Sequence, residues 1–66
     1  MDNAADFARI FEQYGIIAEA QARIEGMKAE NKIRELDNEQ LAYNETHFKY
    51  EANNINAAVD YLKNWG

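Results

Sequence analysis

The segment Asp37-Asn38-Glu39-Gln40 decides the fold, because it is the only convincing break in a sequence otherwise patterned for helix. An aspartate followed three residues later by glutamine can form a capping box, which satisfies free backbone N–H groups at a helix start. The 66-residue chain has no proline and no serine, and its three glycines are isolated. The sequence therefore predicts an all-α protein with two helices, about 3–36 and about 38–64, joined by a turn at about 37–38.

The first segment has the three-and-four spacing of apolar residues that is typical of an amphipathic helix. Three isoleucines within it lie one heptad apart, as in the seam of a coiled coil: Ile10, Ile17 and Ile24. Gly15 and Gly26 each cost about 1 kcal/mol relative to alanine inside a helix. One long helix is favoured, and the alternative is a kink near Gly26 or a short separate helix from about 27 to 36.

The second segment predicts a stricter seam. Its large apolar residues are spaced by seven, with two smaller ones at the alternate positions: Leu41, Phe48, Ile55 and Leu62, then Ala52 and Val59. A tight turn makes neighbouring helices antiparallel, so residues whose numbers sum to about 75 should face each other. The expected layers are Ile10 with Trp65, Tyr14 with Leu62, Ile17 with Val59, Ile24 with Ala52, and Met27 with Phe48. The next layer sets Asn31 near Asn44 and Glu45, where the polar groups either fix the register or face water.

Two further stripes predict contact with other protein. On the second helix, the side away from the seam is aromatic and nearly uncharged, a composition that resembles contact surfaces: Tyr43, His47, Tyr50, Ala57, Tyr61 and Trp65. On the first helix, small residues recur every seven positions: Ala8, Gly15, Ala22 and Ala29. We expect the aromatic stripe of one hairpin to pack on the small-residue stripe of another, in a heterologous contact that closes into a ring or stacks into a longer assembly.

Catalytic chemistry is not predicted. The chain has no cysteine, no serine and one histidine, so thiolate ligands, histidine cages and the usual nucleophiles are missing. A di-iron bundle needs Glu-x-x-His on facing helices, and the residue three before His47 is Asn44. We therefore expect a protein that is not an enzyme, with no catalytic, cofactor-binding or metal-binding residues and no cofactor.

Charge and hydropathy bear on the partners and the location. Twelve acidic and seven basic residues give a net charge of -5, which disfavours contact with a phosphate backbone. No apolar run has the length needed to span a bilayer. The acidic N-terminus lacks the following apolar region of a secretory signal, so we expect an intracellular location. A chain this short buries little core, so the expected partner is a second copy of itself or another protein subunit.

One region resembles a known family. Gly26-Met27-Lys28-Ala29-Glu30-Asn31, followed by Arg34 and by Ala42-Tyr43-Asn44-Glu45, is similar to helical segments of the internal (ejection) proteins of short-tailed bacteriophages. Those proteins assemble into rings or tubes inside the virion and are usually much longer than this chain. The resemblance spans about a third of the sequence and carries no functional residues. It implies a phage structural or accessory protein, located within a virion or in the cytoplasm of the host cell.

The leading interpretation is a structural protein that self-associates or packs into a larger complex, as a phage virion component. The alternative is a small acidic inhibitor or adaptor that binds a host or partner protein through the aromatic helix face. A DNA-binding regulator would need a basic recognition helix, which the sequence lacks.

Overall fold

The computed structural model describes residues 3–64, and it confirms an all-helical hairpin. Helix α1 spans Asn3–Leu36 and helix α2 spans Glu45–Lys63. The two helices pack against each other, and no strand is present between residues 3 and 64. The chain is elongated, with extents of 57 × 17 × 11 Å, because a 34-residue helix is about 51 Å long.

Helix α1 runs without interruption through Gly15 and Gly26, so the separate short helix from 27 to 36 does not form. Both glycines border open space, and a Cβ added at either would meet nothing within 4 Å. Ion pairs spaced by three or four residues support the helix around Gly26: Lys28 Nζ lies 3.1 Å from Glu25 Oε1, and Arg34 Nε lies 2.9 Å from Glu30 Oε1.

A turn does lie at residues 37–38, but it ends α1 and does not begin α2, so the predicted capping box of Asp37 with Gln40 is wrong. Asn38 has a φ of 58°, the left-handed conformation common just after a helix. The Asn38 N–H donates to the Glu35 carbonyl at 3.2 Å, and the Glu39 N–H donates to the Arg34 carbonyl at 2.8 Å. Together these bonds form a Schellman motif, which satisfies carbonyls that the helix leaves free.

Helix α2 begins at Glu45, not near residue 38, and Asn44 is its N-cap. The Asn44 side-chain oxygen accepts hydrogen bonds from the N–H groups of Thr46 (2.9 Å) and His47 (3.4 Å). In return, His47 Nδ1 accepts from the Asn44 N–H at 3.1 Å. This is a capping box in which histidine stands where glutamate or glutamine is usual.

The antiparallel register is close to the prediction. The Asn31 side chain donates from Nδ2 to the Tyr43 carbonyl (2.9 Å) and accepts from the Tyr43 N–H at Oδ1 (3.0 Å). Further along, Arg23 Nε donates to Glu51 Oε1 at 2.9 Å. Both pairs of numbers sum to 74, one less than expected. Asn31 thus joins the two arms of the hairpin through the backbone of Tyr43, and not through Asn44 and Glu45.

The core is thin, and on α2 it keeps the predicted Phe48, Ile55 and Leu62, which are half-buried, but replaces Ala52 and Val59 with Glu51 and Ala58. Ala20, Met27 and Ala58 are its buried apolar residues, and Glu51 is buried with them. No large side chain among residues 3–64 is fully buried. Glu51 and Ala58 are the residues of α2 that are buried against α1, and the residue that follows each of them is exposed.

Several predicted layers are therefore wrong. Ala52 and Val59 are exposed, so they do not face Ile24 and Ile17, which are half-buried. Tyr14 is exposed too and makes no buried layer with Leu62. Leu41 is exposed in the loop that precedes α2. The layer of Ile10 with Trp65 lies outside the described residues, whereas Met27 is buried and Phe48 half-buried, as that layer requires.

Candidate interaction surfaces

An open cleft of about 800 Å³ lies between the middle of α1 on one side and the loop and the first turns of α2 on the other. Tyr43, His47 and Tyr50 form its aromatic wall. The His47 ring stands edge-on to the Tyr43 ring, with centroids 5.5 Å apart and planes at 89°. Gly26 lines the α1 side of the same cleft, with open space between it and these rings.

The charged groups around this cleft are already paired. Glu51 accepts from Arg23, and Glu30 accepts from Arg34, both at 2.9 Å. His47 uses Nδ1 in the capping box. Within residues 3–64, no group of three or more histidine, aspartate or glutamate side chains could hold a metal ion. The cleft therefore offers ring faces for packing against a partner, with its ionic groups committed to the hairpin.

The predicted aromatic stripe of α2 lies along the edge of the contact with α1, and not on the far side of α2. At about 100° per residue, a core centred on Glu51 and Ala58 places Tyr50 and Ala57 beside that contact. Ala57 is exposed, and Tyr61 lies at the border between half-buried and exposed. Trp65 falls outside the described residues. The far side of α2 is polar and comprises Thr46, Lys49, Asn53, Asn56 and Asp60.

The predicted small residues of α1 lie on the side opposite α2, and they belong to a larger apolar surface. At 100° per residue, nine uncharged residues fall within one narrow sector of this helix. We call them the outer face of α1: Ala8, Phe11, Gly15, Ala18, Ala22, Gly26, Ala29, Ile33 and Leu36. All nine are exposed, and they recur at spacings of three or four over the length of the helix.

The ends of the outer face are bulky and its middle is small. Phe11 stacks with Phe7 at a centroid distance of 6.5 Å, and Tyr14, three residues further along the helix, is also exposed. Ile33 and Leu36 lie near the other end. The small residues of this face are predicted from the sequence, whereas its large ones are not. The signal was a second three-and-four pattern in the same helix, out of phase with the isoleucine heptads.

No protein-family model matches the chain, and comparison with curated proteins and with solved structures finds nothing similar to it. Neither helix, over the residues described, combines the length and the apolar character needed to cross a membrane.

Proposed function

We propose that this chain is a non-enzymatic structural protein that self-associates or packs into a larger complex through the outer face of α1. The observation that carries the proposal is that α1 is apolar on two opposite sides, whereas α2 covers only one of them. A helix at the surface of a monomer normally carries one apolar stripe and a charged face opposite it. Here the opposite face has no charged residue from Ala8 to Leu36.

The thin core supports the same proposal. Its buried apolar residues, Ala20, Met27 and Ala58, include two alanines. Domains of this size usually need disulfides, a metal or association with another chain to be stable. The sequence contains no cysteine. Burial of exposed residues such as Phe11 and Leu36 against a partner would add apolar contact that the hairpin cannot make alone.

The setting of this assembly follows from the resemblance of residues 26–45 to phage internal proteins. Those segments form rings or tubes inside the virion. We assign the chain to the same kind of role, as a virion component that is present in the host cytoplasm before assembly. The resemblance supports the setting, and the outer face of α1 supports the mode of contact.

Sedimentation over a range of protein and salt concentrations tests the proposal. The expected mass is a multiple of 7.6 kDa that changes little with salt, because the contact is apolar. Ile33→Glu, which puts a charge on the outer face, should reduce the mass to that of the monomer. Asn53→Glu makes the same change on the polar side of α2 and should leave the mass unaltered. A wild-type chain that stays monomeric at every concentration and binds no other subunit would contradict the proposal.

A second candidate function is favoured by the aromatic cleft: a small acidic inhibitor or adaptor that binds a partner protein. Tyr43, His47 and Tyr50 present exposed or half-buried rings there. A net charge of -5 would steer the chain toward a basic partner, and the association would weaken as salt rises. In a pull-down from host lysate, one partner should be retained by wild type and Asn53→Ala and lost by Tyr50→Ala.

A further inference from the structure

The spacing of the outer-face residues is symmetric along α1. Its residues are spaced by 3, 4, 3, 4, 4, 3, 4 and 3 positions, a series that reads the same in both directions about Ala22. We infer that the partner of the outer face is the same face of a second copy, antiparallel to the first, with a two-fold axis near Ala22. This inference rests on the proposed function. The contact is isologous, unlike the heterologous packing of tyrosines on small residues that the sequence suggests.

The two-fold axis pairs residues whose numbers sum to 44. The pairs are Ala8 with Leu36, Phe11 with Ile33, Gly15 with Ala29, Ala18 with Gly26, and Ala22 with itself. The bulky end of one helix thus meets the bulky end of the other, and Leu36 meets the small Ala8. The central layers contain only glycine and alanine, so the two helices can approach closely, toward the short end of the usual 8–10 Å separation. Antiparallel helices also place opposite ends of their dipoles together.

Exposed apolar area on and beside the outer face is available for a dimer contact. Phe11 lies on the outer face and is 68% exposed, and Phe7 and Tyr14, which flank it, are 57% and 58% exposed. With about 200 Å² for each ring side chain, they present roughly 370 Å² per copy, or about 740 Å² in a pair. Ile33 and Leu36 are each more than half exposed and add to this, as do the alanines. A contact that buried most of this surface in both copies would reach the ~1,000 Å² that a specific interface requires.

The arrangement of the four helices follows from the geometry of α1. The outer face lies opposite the side that packs on α2. Two hairpins joined through their outer faces therefore form a single flat layer, in the order α2, α1, α1, α2. The polar side of each α2, with Lys49 and Asn53, stays exposed in this layer.

Single cysteines test the geometry, because the chain has none of its own. Under mild oxidation, Ala22→Cys should give a disulfide-linked dimer as the main product. Ala8→Cys and Leu36→Cys should each stay unlinked alone, because two copies of residue 8 lie about 42 Å apart in the antiparallel dimer. A disulfide needs Cα atoms within about 7 Å. Mixed together, the two variants should form a mixed dimer. Asn53→Cys is the control and should not link.

The outcomes separate this inference from the proposed function. Linkage of Ala8→Cys to itself would show a parallel dimer and overturn the inference, while the proposed function would stand. An associating wild type whose Ala22→Cys and Ala8→Cys variants both stay unlinked would indicate another contact and overturn it as well. If Ala22→Cys does not fold or associate under reducing conditions, a mixture of Ala18→Cys and Gly26→Cys tests the same axis. A monomeric wild type, measured by sedimentation, would overturn both.

Discussion

The covered face of α1 and its outer face differ in composition as well as in burial. The covered face includes the half-buried Gln13 and Asn31, and Arg23 at its edge reaches across to Glu51. The outer face contains no polar side chain from Ala8 to Leu36, yet all of it is exposed. The side of the helix that lacks polar side chains is therefore the one that α2 does not cover.

This difference shows how polar contacts select one arrangement among several that apolar packing permits. Apolar contact is non-directional, so hydrophobic pattern alone does not decide which side of α1 receives α2. The bonds of Asn31 to Tyr43 and of Arg23 to Glu51 are directional, and they hold α2 on one side at one register. The outer face has no polar side chain that could fix the position of a partner, so only the spacing and the size of its apolar residues can do so.

The largest expected effect separates the two faces with one pair of substitutions. Ala20 is 0% exposed, so Ala20→Glu places a carboxylate without a partner between the helices and should destabilise the hairpin by about 3 kcal/mol or more. Ala22→Glu makes the same change two residues away on the outer face. It should leave the hairpin folded and abolish association. Thermal unfolding by circular dichroism measures the first effect, and sedimentation measures the second.

Unfolding of Ala22→Glu as complete as that of Ala20→Glu, at low protein concentration, would contradict this separation of the two faces. The hairpin would then have no stability apart from its assembly, and the two faces of α1 would act as one core.

The all-helical hairpin and its register could be predicted from the sequence, because both depend on patterns many residues long. Apolar spacing identifies amphipathic helices, and a turn at 37–38 gives the sum of about 75, against 74 in the structure. The late start of α2, at Glu45 and not near residue 38, changes this register little.

The start of α2 could not be predicted, because Asn38 suits two opposite roles. Asparagine is favoured at a helix start, where its side chain caps free N–H groups, and also just after a helix end, where it tolerates positive φ. Gln40, three residues after Asp37, favoured the first interpretation. Asn44 is the actual cap, and its partner His47 is not one of the usual residues at that position of a capping box.

The core of α2 was misassigned because two sets of positions share Phe48, Ile55 and Leu62. Ala52 and Val59 complete one set, and Glu51 and Ala58 complete the other. Hydrophobicity selects the first set, whereas the structure uses the second, since Glu51 bonds to Arg23 and the small Ala58 permits close contact. For the same reason, the aromatic stripe was predicted on the far side of α2, whereas it lies at the edge of the hairpin contact.

A smaller effect is expected at Asn31, whose bonds to the Tyr43 backbone help to hold α2 on the covered face. Asn31→Ala removes both side-chain bonds to the backbone of half-buried Tyr43 and should lower the free energy of unfolding by about 1–3 kcal/mol. Lys32→Ala, at the exposed neighbouring position, should change it by less than about 0.5 kcal/mol. Urea denaturation compares the two. Equal unfolding midpoints would show that the Asn31 link does not hold α2 in place.

The smallest effect concerns Asn38, whose conformation reverses the chain and so sends α2 back along the covered face. At a φ of 58°, glycine is free of the steric penalty that a side chain carries, so Asn38→Gly should raise the stability of the hairpin by up to about 1 kcal/mol. Asn38→Ala should lower it by about 1 kcal/mol, since alanine strongly disfavours positive φ. The sign is diagnostic, because glycine in the first turns of a helix that began near residue 38 would instead be destabilising. Thermal midpoints of the three proteins decide between the two turns, and a lower midpoint for Asn38→Gly would contradict the Schellman motif and the chain reversal built on it.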